Sequence, residues 1–108
     1  MKNIICFLFI ALSTNLFAQK PAVVSIQTNA QCGDCKERIE TALNQIKGVV
    51  YAELNLETKI VEIKYKPTKT DVATLQNALT AIGYDADDQK ADATAQKALP
   101  LCCQPGGH

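Results

Sequence analysis

The chain has no tryptophan, one methionine and one histidine among its 108 residues, and aromatics make up only 6% of it. The lone histidine, His108, is the last residue, so no Ser-His-Asp set is at hand. No Gly-rich phosphate loop and no paired-carboxylate arrangement occur either. These absences leave no catalytic set, and the chain is expected not to be an enzyme. Lysine and arginine number 11, as do aspartate and glutamate, giving a net charge of 0. That balance offers nothing to draw in a phosphate backbone or an anionic lipid surface. With so few aromatic rings to stack on bases as well, neither nucleic-acid nor lipid binding is expected. A hydrophobic run long enough for a membrane span is also missing: Ile4–Leu12 is too short for comfort.

That short run is nevertheless informative. Lys2 precedes it, and Leu16-Phe17-Ala18 closes it in a small residue. This is the form of a secretory signal peptide cut after Ala18, with an uncleaved N-terminal anchor as the competing reading. Cys6 lies inside the run and away from the cleavage point, so no lipid-attachment signal is present. The expected organisation is a signal peptide over 1–18, one domain over 19–88, and a C-terminal extension over 89–108. The expected location is periplasmic or secreted.

Export leaves Cys32, Cys35, Cys102 and Cys103. An even cysteine count in an exported chain usually signals disulfides. Here each pair is local, and a bridge within a pair closes a tiny loop that restrains the unfolded chain little. Adjacent cysteines bridge only through a strained ring. The thiols are placed for chemistry more than for stapling.

The order of elements follows from periodicity. Val24, Ile26 and Thr28 alternate with Val23, Ser25 and Gln27, which predicts a strand over 22–28. From Gly33 to Ile46 the period changes to helical, with Ile39, Ala42, Leu43 and Ile46 on one stripe and Lys36, Glu37, Arg38, Glu40 and Asn44 on the outside. Gly48 sits where a helix terminator belongs. Val50, Ala52, Leu54 and Leu56 alternate again, as do Val61, Ile63 and Tyr65, and the bend Glu57-Thr58-Lys59 makes these two strands a hairpin. Thr70 and Asp71 can cap a second helix carrying Val72, Leu75, Ala78, Leu79 and Ile82, which Gly83 ends. Tyr84-Asp85-Ala86 is expected to begin a short edge strand. The sum is an α+β fold of order β-α-β-β-α-β, an antiparallel sheet with two helices on one face. Residues 87–98 read as a short helix or an ordered linker, and 104–108 as a mobile tail.

The chemistry concentrates at Cys32-Gly33-Asp34-Cys35, between the first strand and the first helix. Free backbone N–H groups and partial positive charge at a helix start favour thiolate over thiol. Thiolate is the form that ligates soft metals and attacks disulfides. The spacing lets both sulfurs reach one ion. Two function classes remain: metal binding and thiol–disulfide exchange.

Around this motif the chain resembles the heavy-metal-associated domain family of copper chaperones, the periplasmic mercury-binding protein and the N-terminal domains of metal-pumping ATPases. The resemblance rests on Cys32-Gly33-Asp34-Cys35, Ile39-Glu40-Thr41-Ala42-Leu43, Lys47-Gly48-Val49 and Gly83-Tyr84, and spans about Val23 to Ala86. It implies a ferredoxin-like βαββαβ sandwich, a soft-metal site at Cys32 and Cys35, and hand-over to a metal-transporting membrane protein or other acceptor domain. Two thiolates suit Cu(I), the favoured ion, and also Hg(II), whereas Zn(II) and Cd(II) prefer four ligands. The family commonly has Met where Ala30 stands, which implies a looser loop. The extension resembles an exported subgroup ending in Leu-Pro-x-Cys-Cys.

Several residues stay open at this level. Cys102 and Cys103 either join Cys32 and Cys35 in a metal site, form a second site, or pair as disulfides. Asp34 is either an oxygen ligand or a favourable charge in the first helical turn. Tyr84 occupies the family position beside the metal loop. His108 is an idle tail residue or a ligand. The competing function is a thiol–disulfide oxidoreductase using the same C-x-x-C. It is disfavoured by the short chain, by its element order, and by the lack of an aromatic residue before Cys32.

Overall fold

The computed structural model describes residues 20–105. The signal-peptide reading of 1–18 and the role of His108 lie outside the described residues. Within them, β1 (Ala22–Gln27), α1 (Gly33–Asn44), β2 (Val49–Asn55), β3 (Ile60–Tyr65), α2 (Val72–Ala81) and α3 (Ala93–Ala98) follow in order, and a 3-10 turn covers Leu101–Cys103. The strands form one antiparallel sheet in the order β1-β3-β2. Helices cover one of its faces, as the ferredoxin-like reading requires.

The alternation of each strand explains its seating. Ile26, Ala52, Leu54, Val61 and Ile63 point inward and meet Ile39 and Leu43 of α1 and Leu75 and Leu79 of α2. Each such aliphatic side chain contributes about 1.5–3 kcal/mol through burial. The other face carries Ser25, Tyr51, Glu53 and Glu62, all exposed. Asp71 caps α2 by accepting from the Thr74 N–H at 2.8 Å.

The expected fourth strand does not form among the described residues. Ala86 pairs only with Gln89, in an isolated bridge that turns the chain back on itself. Asp87 occupies the left-handed region at φ 54, which no extended strand allows. Its backbone N–H donates to the Gln27 carbonyl at 2.8 Å, and its carboxylate accepts from the Gln27 N–H at 2.9 Å. A single residue therefore completes the end of β1 where a strand was expected.

The polar side of α1 is also not merely solvated. Glu40 accepts from the Leu54 N–H at 2.9 Å, Lys36 donates to the Leu54 carbonyl at 2.7 Å, and Asn44 exchanges two bonds with the Ala52 backbone at 3.0 and 3.3 Å. Lys36 and Glu40 pair with each other at 2.6 Å. Side chains of α1 thus occupy the outer edge of β2, whose backbone groups would otherwise stay open to another strand. This clasp fixes α1, and with it the loop that carries the thiols.

Candidate metal centre

The loop Thr28–Gln31 is tied at both ends. Thr28 donates its N–H at 2.9 Å and its hydroxyl at 2.8 Å to the Lys59 carbonyl at the hairpin tip. Asn29 accepts from the Asp85 N–H at 3.0 Å. Ala30 is fully buried and donates its N–H to the Thr28 hydroxyl at 3.2 Å. The loop expected to be loose for want of a Met is pinned by these bonds instead.

Cys32 is the N-cap of α1 in extended conformation, with φ −151 and ψ 179. Its side chain makes no capping bond, so the sulfur is free to turn away from the helix. Cys35 lies one turn on, with its sulfur 3.9 Å from that of Cys32. The two differ in environment. Cys32 is half-buried, whereas Cys35 has no exposed surface and sits on the same stripe as Ile39 and Leu43. The apolar stripe read from the sequence starts at Ile39 and leaves Cys35 out. The structure extends it back to Cys35, because positions 35, 39 and 43 repeat at helical spacing and face the core together.

The second pair arrives from the far end of the chain. The Cys103 sulfur stands 4.0 Å from that of Cys32 and 3.9 Å from that of Cys102. The sulfurs of Cys32, Cys102 and Cys103 all lie within 4.8 Å of one another. The Cys102 thiol also donates to the Asp34 carboxylate at 3.7 Å. Asp34 therefore both adds negative charge to the first turn of α1 and holds Cys102 in place. All four cysteines among the described residues are free thiols.

Tyr84 closes the floor. It is 1% exposed, and its hydroxyl has no partner at hydrogen-bonding geometry. The thiols of Cys35 and Cys103 lie near enough to couple to it. Burial first, and then these two thiols, raise the tyrosine well above its ordinary range. For Cys35, burial opposes ionisation, but the neighbouring Cys103 and Tyr84 side chains and the backbone at Gln31 and Cys32 outweigh it and hold this thiol below its ordinary value. Burial, and then the contact with Cys35, push Cys103 up to about 12. The contact with Cys32 raises Cys102.

Sequence reasoning brought forward all four cysteines and Tyr84. It missed Leu99, 8% exposed and part of the core, and the stripe of Lys36, Glu40 and Asn44. The stripe carried a signal: polar residues at i, i+4 and i+8 directly beside the apolar one.

Residues 26–85 match the family model of the heavy-metal-associated domain. A copper-exporting P-type ATPase of Staphylococcus aureus (strain JH9) is 38% identical over 76 residues, covering 68% of this chain and 10% of the ATPase. The chain therefore spans about a tenth of the length of the curated relatives it matches. Among solved structures, a CopZ metallochaperone superposes with a TM-score of 0.58 at 35% identity, over 60% of this chain and 98% of the chaperone. The N-terminal domain of a potential copper-translocating P-type ATPase from Bacillus subtilis, in its Cu(I)-loaded state, gives 0.60 at 29% identity, over 63% and 86% of the two chains. Oxidized MerP from Ralstonia metallidurans CH34 gives 0.60 at 22% identity over 63% of this chain and 96% of that one, a likeness of fold alone. The family match ends at residue 85, so Cys102 and Cys103 lie beyond it.

Proposed function

The chain belongs to the heavy-metal-associated domain family, and from that premise we propose that it is an exported carrier that captures a soft metal ion at Cys32 and Cys35 and hands it to an acceptor. The observation that carries this reading is the pair of sulfurs 3.9 Å apart at the start of α1. A helix N-terminus stabilises the charge that such a pair needs for binding. Cu(I) is the favoured cargo because two thiolates suffice for it, and relatives named as copper-exporting ATPases and a metallochaperone support that choice. Hg(II) suits the same pair.

The unequal burial of the two cysteines gives the transfer a direction. An incoming thiolate meets the half-buried Cys32 first, and the buried Cys35 releases the ion last. Each step exchanges one sulfur for another, so the ion is never left uncoordinated. An acceptor with its own exposed thiol pair, such as a domain of a metal-transporting membrane protein, fits this sequence. The chain acts here as a carrier and not as an enzyme. Export rests on Lys2, the apolar run and Ala18, and intact-mass measurement of periplasmic protein checks it: a mass retaining residues 1–18 contradicts export with cleavage.

The test of the site is an anaerobic Cu(I) titration of the reduced protein against a competing chelator. Cys32→Ser and Cys35→Ser should each weaken binding by more than the roughly 100-fold that loss of an outer-sphere partner can bring. Wild-type affinity in either variant overturns the assignment. Cys35→Ser should also lower stability, since its thiol is part of the core, while Cys32→Ser should leave it nearly unchanged.

A further inference from the structure

We propose that the C-terminal extension supplies Cys102 and Cys103 as further ligands, turning the pair into a closed thiolate centre for a divalent ion of the Zn(II) and Cd(II) class. This rests on the reading of Cys32 and Cys35 as ligands. It concerns residues that the family match does not reach.

The extension is built onto the domain. Asp92 caps α3 by accepting from the Ala95 N–H at 2.9 Å, and its own N–H donates to the Thr80 carbonyl of α2 at 2.9 Å. Asp85 accepts from the Ala91 N–H at 2.9 Å. Leu99 and Cys103 are buried in the main core, at 8% and 1% exposure. Gln104 donates to the carbonyls of Lys97 and Leu99 at 3.2 and 2.8 Å, folding the end of the segment back on itself. The sulfurs of Cys102 and Cys103 are therefore delivered to Cys32 by a docked segment.

The spacing fits the ion class. A tetrahedral ion with metal–sulfur bonds of about 2.3 Å holds its sulfurs about 3.8 Å apart. The edges Cys35–Cys32, Cys32–Cys103 and Cys103–Cys102 measure 3.9, 4.0 and 3.9 Å. Three of the six edges are therefore near the ideal value, and the sulfurs of Cys32, Cys102 and Cys103 already lie within 4.8 Å of one another, so closing the centre is chiefly a matter of drawing Cys35 in toward the second pair. Because the segment is ordered in the thiol form, the entropy of closing a chain of about 70 residues is met by folding and not by the ion.

Closure also changes what the site does. The Cys102 carbonyl and the Cys103 sulfur stand 3.7 and 4.0 Å from the Cys32 sulfur, so the extension covers part of the sulfur that an acceptor's thiol has to reach. An ion held by all four sulfurs is retained, and release to an acceptor requires the extension to leave Cys32. The centre thus favours storage of a four-coordinate ion over transfer of a two-coordinate one.

The experiment titrates the reduced protein with Co(II), whose absorption reports tetrahedral thiolate coordination, and with Cd(II), whose sulfur-to-metal absorption counts thiolates. Cu(I) affinity is measured alongside. Wild-type protein should show a tetrahedral Co(II) spectrum with thiolate charge-transfer intensity. Replacing both Cys102 and Cys103 by Ser should abolish that spectrum and weaken Cd(II) binding by about 100-fold or more, while Cu(I) affinity changes by less than about tenfold. Cys103 is buried, so if the double variant does not fold, Cys102→Ser alone decides: its loss should weaken Co(II) binding at least about tenfold. Identical Co(II) and Cd(II) binding with and without the two thiols, at undiminished Cu(I) affinity, overturns the closed centre and leaves the Cys32–Cys35 pair standing. Failure of the pair itself shows differently, as unchanged Cu(I) affinity in Cys32→Ser and Cys35→Ser.

Discussion

Gly83→Ala tests whether the docked extension depends on one backbone position. Gly83 has φ +104, a conformation that side chains other than glycine's rarely adopt. An added Cβ would also stand 3.0 Å from the Ala95 carbonyl carbon and oxygen and from the Gln96 Cα. These are backbone atoms of α3, so no rotamer change relieves the contact. The strain of a non-glycine residue in such a conformation costs about 1–3 kcal/mol. Alanine's lower freedom in the unfolded chain returns about 0.4–1 kcal/mol. The net expectation is a loss of roughly 1–2 kcal/mol, and more if α3 resists being pushed outward. For a domain of this size each kcal/mol lowers Tm by about 4–8 °C, so a fall of roughly 5–15 °C is expected. Thermal and urea unfolding of the reduced apo protein give the magnitude. Alkylation of Cys103 under native conditions reports the docking and should speed up as α3 lifts. A stability within about 0.5 kcal/mol of wild type, together with an unchanged alkylation rate, refutes the reasoning.

The clasp between α1 and β2 gives two further tests. Asn44→Ala removes both bonds to the Ala52 backbone and should cost about 1 kcal/mol, read as a lower urea midpoint at constant slope. An unshifted midpoint means water replaces the side chain without loss. Burial disfavours the charged form of Glu40, but the Lys36 ammonium and the Leu54 N–H outweigh it and hold the carboxyl below the usual carboxylate range. A depressed folded-state pKa adds stability that is present above the unfolded value of about 4.3 and lost as pH falls through the folded one. Wild type should therefore exceed Glu40→Gln in stability at neutral pH, with the gap closing in acid. A gap independent of pH between 7 and 3 contradicts this.

The departures from the sequence reading share one cause. Tyr84-Asp85-Ala86 has strand-like composition, yet Asp87 takes a left-handed conformation and its carboxylate captures the Gln27 N–H, ending the pairing after one residue. Cys35 is absent from the apolar stripe read from Ile39. The helix begins at Gly33 as expected, and Cys35, one turn before Ile39, falls on its buried side. Lys36, Glu40 and Asn44 looked solvated because nothing local says that β2 is the sheet edge beside them. In each case the deciding partner lies in another element.

By itself the sequence determined the alternating strands, the two apolar helical stripes, the hairpin, and the placement of Cys32-x-x-Cys35 at a helix start. These depend on side-chain period, turn chemistry and unpaired N–H groups at the helix end, all acting over a few residues. The tertiary structure alone decided which thiol is buried, what covers the edge of β2, and where Cys102 and Cys103 come to rest. The contact between Cys32 and Cys103 joins residues 71 positions apart. No local preference encodes such a contact. It follows from Gly83 admitting α3, Leu99 entering the core, and the extension ending beside the loop where β1 meets α1.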